Sequence, residues 1–98
     1  MPFVNKNQSY SFNMNIDTSL VALSSFTASE ILISNKSGQD LYIYDGGNVT
    51  DDRRFLLGDS ESIILRGITN TNEISAKTGT NSGVVYFRSA YFSNLNQF

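Results

Sequence analysis

The chain contains no cysteine and no histidine. The first absence excludes disulfides and thiolate metal sites. The second removes the usual neutral-pH general base and the commonest transition-metal ligand. Charge is also scarce: 16% of residues are charged, with seven Lys and Arg against nine Asp and Glu for a net −2. So few scattered cations make no basic face for phosphates, and nucleic acid is not an expected partner. At 40% hydrophobic residues the chain is nonetheless too apolar to stay disordered. Nowhere do about 18 apolar residues run together, and the opening MPFVNKNQSY has no basic stretch leading into an apolar one. The expectation is a chain with neither a visible export signal nor a membrane span. With 98 residues, it holds one domain and one core.

What is present is alternation. From Tyr10 to Asp17 the apolar residues occupy even positions and the polar ones odd, as in a strand with one buried face. Leu20 to Phe26 supplies a second strand. The stretch ILISNKSGQDLYIY, residues 31–44, sets two apolar runs either side of a polar turn whose Gly38 permits a positive φ, and predicts a hairpin. Asp45 to Arg54 is a polar, glycine-bearing loop. Phe55–Leu57, Ser62–Leu65, Glu73–Lys77 and Val84–Arg88 are further strand-sized pieces, the last rich in β-branched and aromatic residues. No window carries the apolar spacing of an amphipathic helix. The count of about seven to eight short strands, spaced by roughly ten residues, predicts an all-β antiparallel sandwich, with a small barrel as the alternative.

Few residues here suit chemistry. Asp45, Asn48, Asp51 and Asp52 offer oxygen ligands for Ca²⁺, but their spacing lacks the alternating acidic loop and its bidentate glutamate. A solvated loop balanced by Arg53 and Arg54 is the plainer reading. No serine has a histidine to activate it. A carboxylate pair drawn from Asp17, Glu30, Asp40, Glu61 and Glu73 would be the remaining catalytic route. No catalytic residue, metal or cofactor is assigned, and the chain reads as a non-enzyme.

Two features point instead to binding. Tyr42 and Tyr44 alternate with Leu41 and Ile43, so a core-facing Leu/Ile row puts both tyrosines on the opposite face, available to a sugar ring or a partner. With Asp45, Asn48 and Asp51 as hydrogen-bonding groups, that face would suit a carbohydrate-binding module. The termini are the second feature. Phe3, Val4, Phe92, Leu95 and Phe98 are large apolar residues where polar fraying residues are usual, and leaving such a side chain in water costs roughly 1.5–3 kcal/mol relative to burying it. Residues 1–9 and 92–98 are therefore read as arms that dock on neighbouring subunits, flanking a domain over residues 10–91.

Between residues 31 and 88, the run Ile31-x-Ile33-x-Asn35-x-Ser37-Gly38-x-Asp40-Leu41-x-Ile43, the segment Phe55 to Ser60 leading into Ser62–Leu65, and Ser82-Gly83-Val84-Val85-Tyr86 resemble the small β-sandwich structural proteins of tailed-bacteriophage virions. The resemblance implies a capsid decoration or cement protein, or a neck or tail component, without cofactor or catalytic residue. It also implies other virion proteins as partners, a homo-oligomer, and location in the virion, with no membrane or nucleic-acid contact.

Overall fold

The structure, a computed structural model, describes residues 5–46 and 49–94, with the side chains of residues 5–8, 53 and 92–94 left out of account. Eight strands form two four-stranded antiparallel sheets. They are β1 (Asn5–Ile16), β2 (Val21–Ala22), β3 (Glu30–Asn35), β4 (Leu41–Tyr44), β5 (Phe55–Leu57), β6 (Ser62–Arg66), β7 (Ser75–Thr78) and β8 (Gly83–Asn94). The first sheet has the order β1-β8-β3-β6 and the second β2-β7-β4-β5. Thus β1 pairs with β8, β2 with β7, β3 with β6 and β4 with β5. The chain behaves as one long hairpin rolled over on itself, which is the jelly-roll winding of a sandwich. Among the described residues no strand joins the two sheets, so the barrel alternative is not realised.

Period two decides which residues meet between the sheets. Ile31 and Ile33 of β3 and Leu41 and Ile43 of β4 are fully buried, as are Ile16, Ile74, Ala76 and Val85. Each buried Ile or Leu contributes about 1.5–3 kcal/mol, and every strand except β2 supplies residues to a single core.

The predicted hairpin over residues 31–44 does not form. β3 pairs with β6 and β8, and β4 with β5 and β7, so the polar turn carries the chain from one sheet to the other. Both strands bury the same alternate residues. Stacked across the core, these rows exclude water on both sides, which edge-to-edge pairing in one sheet would not achieve. The strand expected over Leu20–Phe26 shrinks to Val21–Ala22, both exposed, because the following residues cross between sheets. There Leu23 N–H bonds the Ile74 carbonyl at 2.9 Å, and Thr27 bridges to Asn70.

Candidate functional site

β1 and β8 are twelve residues long, each spanning roughly 40 Å. The ladder runs unbroken from Ile16↔Gly83 to Asn5↔Asn94. β3 accompanies β8 only as far as Glu30↔Ala90. Beyond it, the pairs Gln8↔Tyr91 to Asn5↔Asn94 form a ribbon with no third strand beside it among the described residues. Tyr10 stacks on Phe26 at 5.4 Å, Phe26 meets Phe12 at 4.9 Å, and Phe12 stacks on Phe87 at 5.0 Å. This row of rings fixes the ribbon's root to the body. No break in β1 or β8 marks the expected boundaries after residue 9 and before residue 92. Phe92 lies on β8 opposite Asn7, while Phe3, Val4, Leu95 and Phe98 fall outside the described residues.

Tyr42 and Tyr44 do share the outer face of the second sheet, but they do not make the open platform the sequence predicts. Tyr44 is 1% exposed, because the chain after β4 returns over it through a single 3-10 turn, Asp51–Arg53. Its hydroxyl donates to Asp51 Oδ1 at 2.9 Å and accepts from Arg54 Nη1 at 3.2 Å. The hydroxyl, followed by the Arg54 guanidinium, holds the Asp51 carboxyl below its ordinary pKa, and the same hydroxyl raises that of Arg54. Arg54 also sits 4.0 Å above the Tyr42 ring, a cation–π contact that occupies the face a sugar would use. Asp51 is thereby engaged in structure, Asp45 is exposed at the end of β4, and Asn48 lies outside the described residues. Among the described residues no cluster of three acids suited to a metal occurs.

Three of the five candidate acids, Asp17, Glu61 and Glu73, accept hydrogen bonds from backbone N–H groups, and Glu30 pairs with a side chain. Asp17 Oδ1 accepts from Ser19 N–H at 2.8 Å, Glu61 Oε1 from Gly58 N–H at 2.6 Å, and Glu30 pairs with Arg66 at 3.2 Å. Glu73 accepts from Asn70 and Thr69 N–H, each at 2.9 Å, closing a capping box on the turn Thr71–Glu73. Hydrogen bonds from the Thr69 hydroxyl and backbone hold its carboxyl below its ordinary value, the opposite of what a general acid requires.

The turn that opens the resemblance is also structural. Asn35 is fully buried, and its amide donates to the carbonyls of Gln39, Leu57 and Gly58 at 2.7, 2.9 and 3.1 Å. Its carbonyl oxygen accepts from Ser37 N–H and Oγ at 3.1 and 2.7 Å. Nearby, Gln39 Oε1 accepts from Thr80 and Asn81 N–H at 3.1 and 3.0 Å. Three connections are thus tied together at one end of the sandwich.

One feature escaped the sequence reading. On the outer face of the first sheet a shallow depression of about 400 Å³ is lined by Ser11, Phe12, Asn13, Leu32, Ser34, Tyr86, Phe87 and Arg88. Val84–Arg88, rich in β-branched and aromatic residues, suits a central strand, and in it Val85 and Phe87 turn inward while Tyr86, 51% exposed, and Arg88 face out. The alternation of small polar Ser11 and Asn13 on the neighbouring strand was the available signal.

No protein-family model matches the chain, and no curated protein matches it. Its fold is similar to that of a solved chain from Bacillus endospore appendages, described as forming a novel family of disulfide-linked pili. The TM-score is 0.51 at 10% sequence identity, over 92% of this chain and 89% of that one. The likeness is one of fold.

Proposed function

We propose that the chain is a non-enzymatic structural subunit that assembles with copies of itself and with neighbouring subunits of a larger particle. The observation that carries this reading is the β1/β8 ribbon, which extends past β3 and leads directly into the apolar ends of the sequence. A pleated ribbon rooted in the core by stacked rings is a stiff support for Phe3, Val4, Phe92, Leu95 and Phe98 as contact residues. Many copies, each making a modest contact, gain strength through effective concentration. The solved appendage protein lends support at the level of fold, as does the general use of jelly rolls in viral capsids. Lacking cysteine, this chain would hold its neighbours without the disulfides named for that pilus. The particular particle we infer from the sequence resemblance is a bacteriophage virion, with the chain as a capsid decoration protein.

Sedimentation velocity on the intact chain, beside a variant with Phe3, Phe92, Leu95 and Phe98 replaced by Ser, tests the proposal. The intact chain sediments as an assembly and the variant as a folded monomer. Equal sedimentation of the two would overturn the role of the ends. A carbohydrate site at Tyr42 and Tyr44 is the weaker reading, given Arg54 over one ring and the burial of the other.

A further inference from the structure

We propose that the depression on the outer face of the first sheet is a binding site for an acidic sugar, a pyranose carrying a carboxylate within a glycan. This does not rest on the assembly reading. Register places Arg88 between Ser11 and Leu32, and Tyr86 between Asn13 and Ser34. Arg88 donates through Nε to Ser9 Oγ at 3.0 Å, which fixes the guanidinium plane while its two terminal nitrogens make no hydrogen bond among the described residues. Arg54 and Arg66 have Asp51 and Glu30 as ion-pair partners, whereas among the described residues no carboxylate lies within ion-pair distance of Arg88. Glu30, the nearest acid by register on this face, is already held by Arg66 at 3.2 Å. An oriented, unmatched guanidinium on a chain of net charge −2 calls for a planar anion, and a carboxylate fits it with two parallel hydrogen bonds.

Its surroundings narrow the class further. Tyr86, half exposed beside Arg88, offers a ring face for the C–H side of a pyranose. Asn13 and Ser34 flank it across two strands with neutral donors and acceptors suited to sugar hydroxyls. The volume of about 400 Å³ lies within the range of small-molecule sites. Among the described residues Arg88 is the one cation lining the site, so a single carboxylate is matched and a polyanion is not.

Titration calorimetry of the intact protein with oligosaccharides ending in glucuronic acid, in sialic acid, or in the matching neutral sugar is the test. Binding is expected for at least one acid, at least about tenfold tighter than its neutral counterpart, and the two acidic arms decide which carboxylate geometry fits. Arg88→Gln should abolish the preference for acid, Arg88→Lys should retain part of it, and Tyr86→Ala and Asn13→Ala should weaken binding with melting temperature unchanged. No binding of either acid at millimolar concentration would overturn the proposal, as would binding indifferent to both Arg88→Gln and Tyr86→Ala. Light scattering showing that these substitutions instead disperse an assembly would make the face an interface between copies and equally overturn it.

Discussion

The Asn35 side-chain amide donates to the Leu57 carbonyl at 2.9 Å, joining residues 22 apart in sequence inside a site from which water is excluded. One amide therefore holds the crossing between the sheets against the end of β5. Asn35→Ala strands buried carbonyls, each costing about 1–3 kcal/mol, so a loss of roughly 3 kcal/mol in urea unfolding is expected. Asn35→Asp, which replaces the donor by an acceptor, should be no better. Retention of wild-type stability in either variant would contradict the role assigned to this residue. The same burial bars Asn35, although it sits in an Asn-x-Ser triplet, from carrying a glycan on the folded protein.

Gly83 meets the same turn without a side chain. A Cβ there would lie 2.5 Å from the Ser37 carbonyl oxygen and 2.6 Å from its Cα, both backbone atoms, whereas a Cβ on Gly79 would lie 3.6 Å from the Tyr42 ring. Gly83→Ala is expected to destabilise by about 1–3 kcal/mol through overpacking, with Gly79→Ala close to neutral. Thermal melts of the two variants side by side provide the check.

Tyr44→Phe removes the hydroxyl that bridges Asp51 and Arg54 but keeps the ring that fills the outer face. The expected cost is about 1 kcal/mol, which in a domain of this size lowers the melting temperature by roughly 4–8 °C. Tyr44→Ala, which also empties a buried ring site, should cost about 3–5 kcal/mol. A smaller loss for Ala than for Phe would show that the loop does not pack as described.

Acid should loosen the turn Thr71–Glu73. The carboxyl of Glu73 is held below its ordinary 4.5, so its contribution is fully present above about pH 4.5 and is lost as pH falls through the lower, folded-state value. Glu73→Gln keeps a capping side chain yet cannot titrate. Melting temperature followed from pH 6 to pH 2.5 should therefore fall less steeply for the Gln variant in the acid range, and identical slopes would count against the capping role.

Much of the fold was legible because burial follows local alternation. Ile31 and Ile33 are buried and Phe12, Met14 and Ile16 turn toward the core as their spacing predicts, since a strand's two faces are fixed by the chain itself, although Tyr10 stays exposed. Pairing was not legible. The turn at residues 35–40 suits a hairpin and a sheet-to-sheet crossing alike, and only the distant partners β6, β8, β5 and β7 decide between them. Tyr44 is hidden by Asp51 and Arg54, residues beyond a polar loop whose return path no local pattern specifies. Arg88 is not legible as a site in the sequence, because an outward arginine in a β-branched strand stands out only once the carboxylates around it are seen to be paired elsewhere.

On the proposed reading the protein acts by holding surfaces together. Multi-angle light scattering of the intact chain across a hundredfold range of concentration tests it most directly. A mass that rises well above the 10.9 kDa of one chain and reaches a defined multiple or a growing polymer is the predicted result. A constant mass of one chain up to the highest concentration would contradict it.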